Sequence, residues 1–560
     1  MSPSIYQSSA SLIAYLMRES GLMRSPLLIF VVLASASRTA MIYLINETAG
    51  RGGPTLWLFL GLVGSAVIML ASTHGSKMSG VILVQALTHR MRAKMTQKLL
   101  DADVTFFLGR PQGEVFAVFA DHIPNVASTT LRAAQILQAV LLLIFCLGYM
   151  IMQMPSAVIV VVLALLAGVV SFVAVEKPGM RAERARHKAI VGFNDSITDL
   201  LRGYKELRLR HSRRSAMAAR IDDQVQELET TTVRSERYFS YGNIAAMGSL
   251  AATLIAIVVV LPTVAGADSV TMLQLLTLVL FIFAPVEDMI TGLPAIARSA
   301  VAFRIFRNME ATLDDNAEAI SARDVVDNRP AFKTLELRGV TAHLSRNVGD
   351  TGTARDTFTL GPVDLTLYPG QSIFITGGNG MGKSTLLQLL TGLRHPDAGS
   401  IYIDGVEVTR DTVADYRGVF SAVFSEFYLF RHLFGLTEEE RARLQEHIVE
   451  LGLGEGVSIT GDEFDSLSLS TGQMRRLALS IALAEQRPII VLDEFAADQD
   501  PARRTFFYDV LVPRLARAGH CVIAVTHDEH CFDKCDRLIR VEDGKIASDE
   551  MQRPVPQQAG

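Results

Sequence analysis

The sequence predicts a multi-domain chain, a six-helix all-α transmembrane domain followed by an α/β domain of the P-loop type. Three observations carry this. The 560 residues exceed what one hydrophobic core serves, and their mean hydropathy of +0.29, with 49% hydrophobic and 20% charged residues, is concentrated in the first half. A glycine-rich segment stands between an apolar strand and a helix at 372–390. An apolar run at 489–492 ends in an acidic pair about 110 residues further on. The expected division is a membrane domain over 1–310, a polar linker over 311–332, the α/β domain over 333–550 and a flexible tail over 551–560.

In the first half, six apolar stretches are centred near Ala36, Val67, Leu142, Leu165, Ile255 and Leu280. Each is close to the roughly 20 residues a spanning helix needs. Arg38 lies inside the first. The sixth is expected to be interrupted at Pro285, followed by Glu287 and Asp288, which mark either a helix leaving the bilayer or positions facing a cavity. Before the first span, Ser11 to Met23 reads as a short amphipathic helix, and no cleavage site of the signal-peptide kind follows.

Positive charge orients these spans. The second connection holds Arg90, Arg92, Lys94, Lys98 and Arg110, and the fourth holds fourteen Lys and Arg between Lys177 and Arg237. The opposite connections offer only Arg51, so both long loops and both termini are expected on the cytoplasmic side. Helical patterns over Val84–Leu100 and Arg181–Leu209 would carry the spans well into the cytoplasm, where they can meet the second domain.

In the second half, Ser372–Thr376 reads as a strand entering Gly377-Gly378-Asn379-Gly380-Met381-Gly382-Lys383-Ser384-Thr385, then a helix. Backbone N–H groups of such a loop close around phosphates, and the helix N-terminus adds its dipole. Lys383 would neutralise phosphate charge and Ser384 would ligate Mg²⁺. Asp493 after the strand Ile489–Leu492 would hold Mg²⁺ through water, and Glu494 would take a proton from the attacking water. ATP and Mg²⁺ are thus the expected ligands. Leu469-Ser470-Thr471-Gly472-Gln473 opens a further helix with Ser470 at its N-cap.

Leu469–Gln473 resembles the signature motif of ABC ATPases. His527, after the strand Val522–Val525, is similar to that family's switch histidine, and Asp500 to its D-loop aspartate. Six spans, two long cytoplasmic loops and one ATPase domain resemble a half-transporter of the exporter class over nearly the whole chain. Phe106-Phe107 with Gly113, Asp121 and Val126 is similar to that class's first cytoplasmic loop, and Leu201–Glu206 to its second. The resemblance implies ATP shared between two subunits, with Ser470, Gly472 and Gln473 of one completing the site of the other. With one copy of each motif, a homodimer is the simplest assembly.

Phe420–Ser425, Leu469–Gln473 and Asp493–Pro501 resemble the cyclic-peptide and siderophore exporters, a family that includes pyoverdine and syringomycin secretion proteins. The resemblance implies a multi-pass inner-membrane protein, with its ATPase domain cytoplasmic, exporting a peptide or siderophore-like cargo by alternating access. A lipid or multidrug exporter, and a non-transporting ATP-switched membrane protein, are the alternatives.

Two positions depart from the family pattern. Ser425 stands where a Q-loop glutamine, and with it a contact to Mg²⁺, is usual. No aromatic residue falls near Leu344 to stack on adenine, leaving His343 as the neighbouring substitute, so looser nucleotide discrimination is expected. His527, His530, Cys531 and Cys535 lie close together, but their spacing matches no common zinc pattern. A net charge of −5 gives no reason to expect nucleic acid. Arg38, Gln138, Gln274, Glu287 and Met150/Met152/Met154 could line a cargo cavity or serve helix packing.

Overall fold

The computed structural model describes residues 25–107, 112–260, 269–318, 332–348 and 354–553 except 52 and 54, together with 262 and scattered positions between 12 and 21. The polar stretch from 319 to 331, the tail from 554 and most of the N-terminal helix expected over 11–23 lie outside the described residues. The chain divides into two compact units: 1–96 with 113–310, and 97–112 with 311–560.

The first unit is helical. Its described long helices are Leu27–Gly50, Leu56–Leu100, Ile123–Gln153, Pro155–Arg202, His211–Ile255 and Ser269–Asp315, and each predicted span centre lies on one of them or, for Leu280 and Ile255, within or at its end. Among the described residues four helical stretches are long and apolar enough to cross a membrane. The helix Leu56–Leu100 runs about 68 Å at 1.5 Å per residue, roughly twice the hydrocarbon thickness.

Two local expectations are corrected. The helix Ser269–Asp315 continues through Pro285, so the expected interruption is absent. Proline costs a helix one N–H, a loss that neighbouring groups in a bundle can absorb. The pattern over Arg181–Leu209 is not one helix. It ends at Arg202, turns at Gly203, where a Cβ would come within 3.0 Å of the Asp199 carbonyl, and restarts as Tyr204–Leu209.

Beyond the apolar spans the helices are joined by polar and charged contacts. Glu183 takes Arg186 bidentately at 2.8 and 3.0 Å and accepts from Ser235 Oγ at 2.8 Å, which ties Pro155–Arg202 to His211–Ile255. Glu310, buried on Ser269–Asp315, meets Lys94 at 2.7 Å and also pairs with Arg307.

The second unit holds two main sheets. Strands β1 (Leu335–Val348), β2 (Ala354–Leu367), β4 (Ala398–Ile403) and β5 (Val406–Glu407) form an antiparallel sheet in the order β2-β1-β4-β5. Strands β3 (Ser372–Thr376), β6 (Phe420–Val423), β9 (Ile489–Asp493), β10 (Cys521–Val525), β11 (Arg537–Glu542) and β12 (Lys545–Met551) form a second sheet in the order β12-β11-β3-β10-β9-β6. A small pair, β7 (Ile459–Thr460) and β8 (Glu463–Phe464), completes the set.

Within the six-stranded sheet β11, β3, β10, β9 and β6 are parallel. All residues of β3, β9 and β10 are buried, as expected of parallel strands covered on both faces. Ile373, Ile375, Val491 and Ile523 pack on one face with Leu386, Leu387, Leu389 and Leu390 of the helix after the glycine-rich loop. Phe374, Ile490, Leu492 and Val522 pack on the other with Leu479, Ala482 and Leu483 of the helix Thr471–Ala484. The two helices that open with the glycine-rich loop and with the 469–473 segment therefore cover opposite faces.

The piece 97–112 of the first cytoplasmic loop groups with the second unit. Asp103 N–H donates to the Asn316 carbonyl at 3.0 Å and Glu318 N–H to the Asp101 carbonyl at 2.9 Å. Glu318 in turn holds Arg417 bidentately at 2.6 Å.

Candidate functional site: a nucleotide cleft at the strand ends

The parallel order β3-β10-β9 brings three strand ends to one edge of the sheet. Register places Val525 opposite both Ile375 and Asp493. The loop after β3, the Asp493-Glu494 pair after β9 and His527 after β10 thus emerge side by side, where open α/β sheets bind ligands.

The loop is shaped by glycine. Gly377, Gly380 and Gly382 have φ of 152°, 78° and 99°, in the left-handed region that side chains rarely adopt. A Cβ on Gly377 would meet the Val541 carbonyl at 2.2 Å, so alanine cannot occupy that position without moving the backbone. Lys383, the first residue of the helix Lys383–Leu390, is 7% exposed. Its Nζ donates to the carbonyls of Gly377 and Gly378 at 2.9 and 3.0 Å, which holds the ammonium over the loop. Burial lowers its pKa, while Glu494 and Asp493 oppose that shift. Asn379 and Ser384 are exposed at the mouth of the loop, and Thr385 is buried below it.

Asp493 is 2% exposed and accepts from Ser425 Oγ at 2.9 Å and from Ser425 N–H at 3.3 Å. Ser425 therefore reaches the acidic strand end despite being shorter than glutamine. A buried carboxylate with the hydroxyls of Ser384 and Ser425 is an all-oxygen donor set that suits a hard cation, so the residues present fit Mg²⁺.

Glu494 takes φ 52° and ψ 32°, a left-handed conformation uncommon for a residue with a side chain. Its N–H donates to the Val525 carbonyl at 3.1 Å. Its carboxylate Oε1 stands 3.3 Å from His527 Nε2, so the two predicted catalytic residues are in contact. His527 is anchored from both sides in sequence. Thr526 N–H donates to the Ile375 carbonyl at 3.0 Å, and the Thr526 hydroxyl lies 2.6 Å from that of Tyr508. Tyr508 also donates to Asp528 at 2.9 Å.

Sequence reasoning missed Tyr508 and Asp528, and it missed Arg475. The Arg475 guanidinium is buried, donates to the Glu494 carbonyl and lies 2.9 Å from Asp498 Oδ2. It joins the helix Thr471–Ala484 to the backbone that carries Glu494. An arginine beside Arg476 in the first turns of that helix gave no signal of this.

Within the chain the signature residues bond to their own neighbours. Ser470 caps its helix: Ser470 Oγ accepts from Gln473 N–H at 3.3 Å, and Gln473 Oε1 accepts from Ser470 N–H at 2.9 Å. Gly472 is packed so closely that a Cβ would meet the Asp498 carbonyl at 2.6 Å. Asp500 caps the helix Pro501–Phe506 by accepting from Arg503 N–H at 2.9 Å. Among the described residues, no hydrogen bond or ion pair links Ser470, Gly472, Gln473 or Asp500 to 377–385.

On β1, His343 is exposed and its Nδ1 lies 3.1 Å from Thr359 Oγ1. Leu344 pairs across the strands with Phe358, whose ring reaches the place a Cβ on Gly382 would occupy, at 3.0 Å.

Comparison with known proteins agrees with this architecture. The model of the ABC transporter transmembrane region matches residues 25–286, and the ABC transporter model matches 360–497. The chain is 28% identical over 534 residues to ATP-binding protein SyrD of Pseudomonas syringae pv. syringae, covering 92% of each chain. It is 32% identical over 239 residues to the probable syringafactin export ATP-binding/permease protein SyfD of the same pathovar, covering 40% of this chain and 35% of that one. It is 24% identical over 543 residues to an ATP-dependent lipid A-core flippase of Polaromonas sp., covering 92% and 88%. In fold it is similar to a bacterial Atm1-family ABC exporter with ATP bound, with a TM-score of 0.75, 18% identity and 96% of each chain covered. A helical membrane unit joined to a phosphate-binding cleft of this order and composition places the chain in the ABC transporter family, as an exporter that couples ATP hydrolysis to transport.

Proposed function

We propose that two copies of this chain export a cyclic peptide, siderophore or related peptide natural product across the inner membrane by alternating access. The carrying observation is the similarity to SyrD over 92% of both chains, with the shorter match to a protein named for syringafactin export in support.

In the proposed cycle, cargo enters an inward-facing cavity between the two membrane domains. ATP is then clamped between the 377–385 loop of one subunit and Ser470/Gly472 of the other. The placement of the loop helix and the signature helix on opposite sheet faces supports sharing, since neither motif completes the other within one chain. Mg²⁺, held by Ser384 and Asp493 with Ser425 alongside, would neutralise charge on the transferred phosphate. Glu494 accepts a proton from the attacking water, and His527, 3.3 Å away, holds the γ-phosphate. Closure of the ATPase domains turns the cavity outward, and hydrolysis resets it.

A second reading, export of lipid, draws on the 24% identity to the lipid A-core flippase over 92% of this chain. Comparing the compounds secreted by cells with and without the gene separates the two. Loss of a peptide metabolite from the medium supports the first reading, and unchanged peptides with altered outer-leaflet lipid overturn it.

A further inference from the structure

Within the membrane unit lies a cavity of about 300 Å³ among the helices Leu27–Gly50, Leu56–Leu100, Ile123–Gln153 and Ser269–Asp315. Its polar lining is Arg38, Ser76, Lys77, Gln135, Gln138 and Asp288. Arg38 stands eleven residues into the first span, about 16 Å along that helix from Leu27. A guanidinium at that position needs water, a partner or a ligand rather than lipid.

None of the four donor side chains Arg38, Lys77, Gln135 and Gln138 has a hydrogen-bond or ion-pair partner among the described residues. The contrast is Gln274, which is not part of this cavity. Its Nε2 donates to the Asn46 carbonyl at 2.9 Å while Asn46 Nδ2 donates back to the Gln274 carbonyl at 3.3 Å. That pair is satisfied helix packing. Met150, another predicted cavity residue, is wholly buried in an apolar cluster.

Two cations and two amides, unpaired among the described residues, therefore line one cavity. We infer that this cavity binds an anionic group of the cargo, a carboxylate or phosphate held by Arg38 and Lys77 with Gln135 and Gln138 donating. Its volume suits a head group rather than a whole lipopeptide, so the remainder of the cargo would extend beyond it. This inference rests on the exporter reading above and names the chemistry that such a cargo must carry.

The test uses the full-length protein in lipid nanodiscs. Binding of a fluorescent N-acyl peptide with a free C-terminal carboxylate is compared with that of its C-terminal amide, for wild type, Arg38→Gln, Lys77→Gln and Arg38→Lys. The expected result is tight binding of the carboxylate peptide and roughly 10- to 100-fold weaker binding of the amide. Arg38→Gln and Lys77→Gln should lose a similar factor for the carboxylate form alone, and Arg38→Lys should restore much of it. Equal affinity for both peptides, unchanged in Arg38→Gln, overturns the anion site while leaving peptide export standing. A parallel arm adds phosphatidic acid to nanodiscs of neutral lipid. Binding of that phosphate, lost in Arg38→Gln, with neither peptide bound, keeps the anion site and overturns the peptide reading. Absence of binding in every arm overturns the anion site.

Discussion

At Glu494 the chain holds a side-chain-bearing residue in a left-handed turn, and three contacts keep it there. The backbone N–H is taken by Val525, the carbonyl by Arg475, and the carboxylate meets His527. Backbone strain of this kind persists only where the surroundings over-determine it, and it concentrates at reacting groups. Glu494→Gln keeps the shape and removes the base, so ATP turnover should fall by about 10²- to 10⁴-fold with ATP still bound. Phosphate release and nucleotide binding measured on one preparation check this, and substantial residual turnover removes Glu494 from the role. Arg475→Gln leaves the nucleotide loop intact but frees the Glu494 carbonyl. Here kcat should drop roughly tenfold or more while KM for ATP stays within about twofold. A loss expressed in KM instead would place Arg475 in nucleotide binding.

The strand β10 and the turn after it form the element that aims His527. Tyr508, packed edge-on against Phe374 at 5.6 Å between ring centres, lends its hydroxyl to Thr526 and Asp528 on either side of the histidine. Burial pushes that hydroxyl well above the usual tyrosine range, so it remains a proton donor at every physiological pH. Tyr508→Phe keeps the ring packing and deletes the donor. It should cost about 1–3 kcal/mol of thermal stability in the ATPase domain and lower turnover several-fold, read by a melting curve and a phosphate assay. Full activity with an unchanged melt would show that Thr526 alone aims the histidine. The strand itself was legible from Val522–Val525, because a continuous apolar run bounded by polar residues fits a strand covered on both faces. Tyr508 was not legible: it lies eighteen residues before Thr526, and no periodicity links the two.

At the scale of the whole molecule, the proposed shared site has a consequence for mixed dimers. A dimer with Lys383→Ala on one chain and Ser470→Ala on the other retains one intact site, because both lesions fall in the same composite cleft. Both substitutions on a single chain damage both clefts. The crossed dimer should keep about half the wild-type ATPase rate, and the single-chain double variant far less. Tandem affinity tags that isolate each heterodimer allow the two rates to be compared. Equal rates would mean that each chain completes its own site.

The sequence by itself determined the two-part architecture, the membrane helices and the residue types of the nucleotide loop. These are local properties: about 20 apolar residues select a spanning helix, and a strand–glycine loop–helix order selects a phosphate cradle. It also marked Asp493 and Glu494 from their neighbours in the chain, and His527 and Ser425 by resemblance to the family. Only the tertiary structure decided which of them meet. The parallel order β3-β10-β9 brings Glu494 to His527 and the loop to both, whereas the opposite sheet faces hold the signature helix away. The same holds for the continuous helix through Pro285, the satisfied Gln274, and the side chains of Arg38, Lys77 and Gln138, unpaired among the described residues. Whether a polar group in a membrane helix is packing or a site depends on partners distant in sequence, and only folding brings those partners within hydrogen-bond reach.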